Sequence, residues 1–568
     1  MADNKNELEH NAHAATSSPR PSDNAINVKA PKFFGLSGRP LSLVVSTVAT
    51  TGFLLFGYDQ GVMSGIIAAD PFNDYFPETK NNKTYQGFVT AIYEVGCLFG
   101  AVLMLMIGDK LGRKRGIIAG AIIMILGVII QISAVKGHKA TAQLIIGRTI
   151  TGFGNGMNTS TIPTYQAECS KGTNRGLLIC IEGGVIAFGT MIAYWIDYGC
   201  SYGSQDLSWR FPIAFQVFFG LIVAIFMVGL PESPRFLLTK DRHEDAMRVL
   251  AALNGTSVDD DETKLQASVI MESIRASGHA GGNTTYADLL TGGKTQHFRR
   301  MMIGSSAQLF QQIGGCNAVI YYFPILFEDS IDETKNMSLL LGGVNMIVYS
   351  IFATSSWFLI ERAGRRKLFL IGTVGQCLSM VLVFACLIPG GPENAKGSAV
   401  GLFTYIAFFG ATWLPLPWLY PAEINPLKTR AKANAVSTIT NWTFNFLIVM
   451  VTPVMLDNIK WGTYLFFAIV NACFFPVIYF FYPETRGRTL EEIDIIFAKG
   501  FVENMSYINA AKQLPFLTQE EIDAKAKEYG FVSDEDDVER RDTEDGEESR
   551  PLWKEFELAG GCPGEAVT

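Results

Sequence analysis

Charge is scarce in this chain: 18% of its 568 residues are Asp, Glu, Lys or Arg, against about 25% in a soluble domain. Histidine is scarcer still. The six His are scattered, with His10 and His13 in a polar N-terminal stretch, so no metal site is assembled from them. The nine cysteines lack metal-ligand spacing; Cys97, Cys180, Cys316, Cys377, Cys386 and Cys473 fall inside apolar runs, where a thiol serves as a small hydrophobe. No concentrated basic face is present, which argues against nucleic acid as a partner. No cleavable signal pattern precedes the first apolar run, so that run must itself direct insertion. Gly292-Gly293-Lys294-Thr295 ends like a nucleotide-binding loop, but the glycine needed five residues before Gly293 is Asp288, so nucleotide-driven chemistry is unsupported. Neither an enzyme, a cofactor nor a metal is expected.

What the chain does have is apolar length: 48% hydrophobic residues and 40 Phe. Apolar runs lie near 41–67, 86–107, 115–135, 141–163, 176–199 and 211–230, and again near 301–326, 338–360, 368–389, 398–421, 432–456 and 463–482. Each suffices to cross about 30 Å of hydrocarbon as a helix. The pattern predicts an all-α membrane protein of twelve transmembrane helices in two six-helix halves. The units are a polar N-terminus (1–40), the first half (41–230), a helical segment (231–300), the second half (301–482), and C-terminal helices with a tail (483–568). Within the 231–300 and C-terminal segments, amphipathic helices are expected near 241–253 and 262–276, at Leu490–Lys499, and from Thr518, which with Glu521 forms a capping box.

The net charge of −8 resides in one place. The stretch Asp534–Ser549 holds ten acids and two bases, a composition that reads as a solvated tail. In the short loops, the ends after spans two, four, eight and ten carry thirteen Lys and Arg, against eight in the longer opposite loops. Such asymmetry places the basic side, both termini and the 231–300 segment in the cytoplasm. Asn82, in Asn-Lys-Thr, then faces outward as a glycan acceptor.

The halves repeat. Gly112-Arg113-Lys114 is followed 252 residues later by Gly364-Arg365-Arg366, and Pro231-Glu232-Ser233 by Pro483-Glu484-Thr485 at the same offset. Glu168 and Arg175 match Glu423 and Arg430 at 255. A duplicated six-helix unit puts a substrate site between the halves near the bilayer midplane. Arg113, Glu168, Arg175, Glu232, Arg365, Glu423, Arg430 and Glu484, at helix ends, are expected to close the cytoplasmic side in one state.

Ionisable residues within spans cost roughly 2.5–3.5 kcal/mol on insertion scales. Asp59, Glu94, Arg148 and Glu182 are placed this way. One reading is a static Asp59–Arg148 bridge. The other is a carboxylate alternating between protonated and Arg-paired states, which couples a proton to a conformational change. Glu94 and Glu182, near Gly-rich turns, are expected to face a wet cavity, with Glu94 a further proton-coupling candidate. The glycines at 152, 154 and 156 are helix-packing residues. Gln311, Gln312 and Asn317 interrupt span seven, with Tyr321 and Tyr322 one turn on; Asn441, Trp442 and Asn445 interrupt span eleven; Trp418 sits in the Pro415-x-Pro417 break of span ten. Amides both donate and accept, which suits vicinal hydroxyls, and an indole covers a polyol's apolar face. The alternative for any one of them is a hydrogen bond between helices.

These motifs, together with Gly57-Tyr58-Asp59 and Pro231-Glu232-Ser233-Pro234-Arg235, resemble the sugar porter family of the major facilitator superfamily. The resemblance covers about 41–500. It implies a twelve-helix alternating-access transporter with cytoplasmic helices between the halves, and Asp59 and Arg148 as the proton-coupling pair. It also implies Gln311, Gln312, Asn317, Trp418 and Asn445 as sugar contacts. Two departures narrow the substrate. Hexose porters typically carry Gln where this chain has Gly183, and glucose facilitators Asn where it has Tyr349. A site that loses two hydroxyl ligands and gains a phenol favours something smaller than a hexose. The runs Asn158–Pro163, Gly189–Asp197, Leu416–Pro421 and Glu491–Lys499 are similar to the yeast glycerol/proton symporters of this family. They imply monomeric glycerol uptake with protons at a fungal plasma membrane, of use in osmotic stress. A hexose or other polyol porter, and a non-transporting nutrient sensor, are the alternatives.

Overall fold

The computed structural model describes residues 31–530 apart from 138, 171–174, 282–285, 332–333, 390–391 and 427. The acidic stretch 534–549, Lys171 and the Arg175 side chain lie outside the described residues. The chain is helical throughout, save an isolated bridge between Phe33 and Leu36. The first six spans are Arg39–Ala68, Lys83–Leu111, Arg113–Ile132, Ala140–Cys169, Arg175–Cys200 and Leu207–Gly229. Span seven is His297–Ile313 with Cys316–Ile331. Span eight is Lys335–Ala363, span nine Arg365–Leu387, span eleven Arg430–Ile459 and span twelve Gly462–Phe481. Span ten runs from Pro392–Phe408 through a wide turn at Phe409–Trp413 to Leu416–Ile424. Among the described residues nine helices are long and apolar enough to cross a membrane unaided. Outside those nine are span four, rich in Gly, Thr and Asn, span five, and the divided span seven, which sit within the bundle among them. Large apolar side chains such as Leu43, Met106, Ile225, Phe358 and Leu378 are exposed on the outer faces, where hydrocarbon takes the place of water.

Local chemistry sets the helix ends, and it repeats. Span two starts at Asn82, whose side chain accepts from the Tyr85 N–H at 3.1 Å, and ends at Gly112 with φ 92°. Span eight starts at Thr334, whose hydroxyl accepts from the Met337 N–H, and ends at Gly364 with φ 87°. Both glycines combine a positive φ with an extended ψ of 161°, a conformation that a side chain disfavours. A Cβ at either would also fall within 2.7 Å of an acid oxygen, Glu232 or Glu484 respectively.

Spans two and four approach closely through glycine. A Cβ on Gly152 or Gly156 would strike the backbone of span two at Tyr93 or Cys97, which is the helix-packing role read from the sequence. The halves meet where span two packs on eleven, span five on eight, and the second segment of span seven on span one. The first two pairings exchange under the duplication, since span two corresponds to eight and five to eleven.

Span seven, expected as one run from 301 to 326, is broken. Gly315 adopts φ +102°, and the Gly314 carbonyl instead accepts from the Tyr405 hydroxyl and the Asn471 amide, each at 2.9 Å. At the basic end, helices His243–Asn254 and Asp261–Gly281 occupy the segment between the halves. Helix Leu490–Val502 follows span twelve, and capping boxes form at Thr489 with Glu492 and at Thr518 with Glu521. That C-terminal unit is seated on span seven: the buried Arg300 meets Asp494 at 2.6 Å and lies 4.7 Å from the Phe497 ring centroid.

Candidate functional site

Three charges inside the first half, Asp59, Glu94 and Arg148, are gathered but not bridged. Asp59, two-thirds of the way along span one, is 2% exposed. Its Oδ2 accepts from the Asn155 amide at 2.9 Å and the Tyr93 hydroxyl at 3.1 Å. Arg148 donates from Nε and Nη2 to the carbonyls of Val89 and Thr90, each at 2.8 Å, and its guanidinium lies 5.5 Å from the Tyr93 ring centroid. A static Asp59–Arg148 bridge is therefore not what this conformation holds. Span-two carbonyls take the guanidinium N–H groups, and the Tyr93 phenol reaches Asp59 in its place. Both Asp59 and Glu94 nonetheless lie within Coulombic range of Arg148.

The amides of the second half form one continuous network, and two prolines explain its anchor. In a helix the carbonyl of residue i accepts from the N–H of i+4. Pro417 and Pro421 have no N–H, so the carbonyls of Trp413 and Pro417 lose their partners. Gln311 Nε2 donates to the Trp413 carbonyl at 2.8 Å and to that of Leu414 at 3.2 Å; Gln308 Nε2 donates to the Pro417 carbonyl at 2.7 Å. Asn441 of span eleven donates to the side-chain oxygens of both glutamines, and Gln312 donates to that of Gln311 at 3.4 Å. Asn317 then donates to Gln312 Oε1 and, at 2.6 Å, to Asn445 Oδ1. Both N–H groups of Gln311, Asn317 and Asn441 are thus engaged. Tyr322 is occupied too, donating to the Val449 carbonyl at 2.7 Å.

The two groups meet at Glu94. The Tyr321 hydroxyl, one turn beyond Asn317, donates to Glu94 Oε1 of span two at 2.6 Å. Glu94, expected to face a wet cavity, is instead 0% exposed, and its Oε2 has no protein partner. Glu182 is also buried, on span five.

Tyr349 is buried with its ring 6.0 Å from that of Phe409, against the wide turn of span ten. A Cβ on Gly183 would lie 3.7 Å from Leu414 and Pro415. Both departures from the hexose pattern therefore border the span-ten break that Gln311 holds. Trp418 is half-buried and takes no part in the hydrogen bonds of the network. The indoles buried nearby are Trp413, 4.8 Å from Phe369, and Trp442, 5.7 Å from Phe56 of span one.

The charge clusters at the basic end lie within each half rather than across them. Arg113 pairs with Glu168 at 3.1 Å and with Asp109 at 2.9 Å, while Glu232 accepts from the backbone N–H groups of Arg113 and Lys114. The second half copies this: Arg365 pairs with Glu423 at 2.8 Å and Glu361 at 3.1 Å, and Glu484 accepts from the N–H groups of Arg365 and Arg366. Ser233 and Thr485 each donate to the central glutamate. Arg430 donates to the Asn425 carbonyl at 3.2 Å. Among the described residues none of these bonds joins one half to the other, so in this conformation the clusters fix helix ends.

Sequence reasoning missed Tyr93, Asn155 and Gln308. Gln308 had a signal, since it precedes Gln311 by one turn and Pro417 and Pro421 stand four apart. Tyr165 and Tyr420, 255 residues apart, extend the repeat by donating to the carbonyls of Pro231 and Pro483, each at 2.9 Å.

Comparison with known proteins agrees with this architecture. The family described as sugar (and other) transporter matches residues 44–497. The chain is 45% identical over 509 residues to the sugar transporter STL1 of Saccharomyces cerevisiae, covering 88% of this chain and 89% of that one. It is 46% identical over 508 residues to the major facilitator superfamily transporter mfsA of Aspergillus fumigatus, covering 88% and 93%. A low-affinity glucose transporter of Kluyveromyces lactis is 32% identical over 480 residues, covering 81% of this chain and 83% of that one. Among solved structures, the xylose transporter XylE from E. coli in a partially occluded inward-open conformation superposes with a TM-score of 0.67. It is 23% identical, covering 79% of this chain and all of that one. The likeness is one of fold.

Proposed function

The chain belongs to the sugar transporter family of the major facilitator superfamily and is a multi-pass membrane transporter, and from that premise we propose that it imports glycerol together with protons. The proposal places it in the plasma membrane as a monomer, with its basic end and both termini in the cytoplasm. Substrate hydroxyls are taken by Gln312, Asn317, Asn441 and Asn445, with Gln311 holding the floor of the site and Tyr349 bounding it. The proton is carried next to Arg148, on Asp59.

The observation that carries this reading is the contact between the buried charge group and the amide network through Tyr321 and Glu94. A neutral solute is bound by amides, which do not titrate, and coupling needs a group that does; here the two adjoin. The preference for a small polyol rests on Gly183 and Tyr349, which border the span-ten break. Hexose transport is the second reading, favoured by the presence of Gln311, Gln312 and Asn317 together.

Coupling has a purpose for glycerol, which crosses bilayers unaided and is retained only against a driving force. One proton moving down about 100 mV supplies roughly 2.3 kcal/mol, and one pH unit adds about 1.4 kcal/mol. Their sum supports accumulation of a few hundredfold, about tenfold for each 1.4 kcal/mol.

External pH, followed while glycerol and then glucose is added to de-energised cells expressing the protein, tests the proposal. Alkalinisation with glycerol and not glucose is expected, and Asp59→Asn should abolish both alkalinisation and accumulation. Alkalinisation with glucose alone would replace the substrate assignment. Uphill glycerol uptake in Asp59→Asn would remove Asp59 from the coupling role.

A further inference from the structure

The charge group contains one acid more than its cation balances. Arg148 is 3% exposed and, among the described residues, is the one Lys or Arg buried between spans away from the basic end. Asp59 and Glu94 both lie in its field, and neither forms an ion pair with it, because its N–H groups go to span-two carbonyls. Two ionised carboxylates beside one guanidinium would leave a net negative charge in a buried interface. Uncompensated buried charge costs several kcal/mol, so a group of this composition takes up one proton.

Among the described residues no other cation faces Glu94 to do the balancing. The titratable and charged groups facing it are Asp59 on span one, Tyr93 and Cys97 on its own helix, Arg148 on span four, and Cys316 and Tyr321 on span seven. Asn445 of span eleven is its remaining polar neighbour. Asp59 Oδ2 accepts from Tyr93 and Asn155, Glu94 Oε1 accepts from Tyr321, and each acid keeps its other oxygen without a hydrogen bond to the protein.

We propose that Glu94 is a second proton-coupling carboxylate, sharing a single transported proton with Asp59 around Arg148, and that its bond to Tyr321 relays the protonation state to the substrate-binding half. This rests on the proton-symport reading above. The proton forms an O–H bond on one carboxylate of the pair and leaves as that bond breaks toward the other side; no other bond changes. Two acids sharing one proton titrate as a pair, so removing either one removes the coupled proton. Tyr321 is the relay because a carboxylate accepts its hydroxyl strongly and a carboxylic acid weakly, and Tyr321 stands one turn from Asn317.

The test uses the full-length protein in proteoliposomes with an internal pH dye, an imposed pH gradient and labelled glycerol. In Glu94→Gln the accumulation ratio is expected to fall at least about tenfold, a loss of about 1.4 kcal/mol of coupling, and the pH dependence of the residual rate to flatten. A variant with the wild-type accumulation ratio and pH profile, at whatever rate, overturns the proposal. Should Glu94→Gln be silent, Glu94→Asp and Tyr321→Phe decide. Either should move the pH midpoint of uptake by about half a unit or more, a change of about 0.7 kcal/mol; midpoints that stay in place overturn the proposal. Failure of the underlying reading looks different. A wild type that moves protons with glucose and not glycerol changes the substrate and leaves the same variants to be scored with glucose. A wild type that moves protons with neither overturns both.

Discussion

Replacing Gln311 by leucine separates a scaffold from a ligand. Its two N–H groups reach the carbonyls of Trp413 and Leu414, and its oxygen accepts from Asn441. The Trp413 carbonyl has no helical donor because residue 417 is proline, and the N–H of Trp418 goes to Pro415 rather than to Leu414. A buried acceptor left without a donor costs about 1–3 kcal/mol, and the lost bond from Asn441 adds about 1 kcal/mol. Gln311→Leu should therefore destabilise the protein by about 2–4 kcal/mol. Gln312→Leu orphans no backbone group, since its oxygen serves Asn317 and Cys316, and should cost about 1 kcal/mol. Unfolding of the two purified variants in detergent, alongside tracer KM, checks the difference. Equal stability losses, or Gln311→Leu at wild-type stability with only KM raised, would refute the argument that span ten depends on this side chain.

Two further substitutions test other parts of the site. Gly364→Ala forces a side chain into a conformation costing about 1–3 kcal/mol and against Glu484, and Gly112→Ala should destabilise to a similar degree. A stability loss in one half alone, read by thermal unfolding, would contradict the equivalence of the two clusters. Gly183→Gln should fold, because its Cβ meets Leu414 and Pro415 at ordinary contact distance. Its KM for glycerol should rise about tenfold, for about 1.4 kcal/mol, and glucose should compete with labelled glycerol; an unchanged KM without competition would remove Gly183 from the specificity argument.

The parts legible in the sequence were those set by short-range chemistry. A glycine before Arg and a Pro-Glu closing the half are local signatures, and their recurrence at 252 residues is enough by itself to reveal the duplication. Polar residues interrupting apolar spans were equally visible. Their partners were not, because those lie on other helices. Arg148 and Asp59 are each the obvious partner of the other on charge alone, yet backbone carbonyls and a phenol outcompete that pairing. Span seven read as continuous because hydrophobicity runs through Gly314 and Gly315; only the backbone angle of Gly315 breaks it.

The repeat also shows how the halves came to differ in chemistry. The offset of 252 that carries Gly112 onto Gly364 carries Trp209 onto Trp461 and Asp59 onto Gln311. By that count an acid in span one stands where span seven has an amide. An amide presents the same donors and acceptors at every pH, which suits a neutral polyol; a carboxylate changes its charge, which suits coupling. Neither property suffices alone for symport, since a ligand shifts a conformational equilibrium only by its differential affinity for the two states. Under the proposed symport, proton and solute act on a shared element, and the bond from Tyr321 to Glu94 joins the two groups across the interface. Tyr321→Phe keeps every acid and every amide while deleting that bond, so it is the substitution in which coupling should weaken with both binding sites intact.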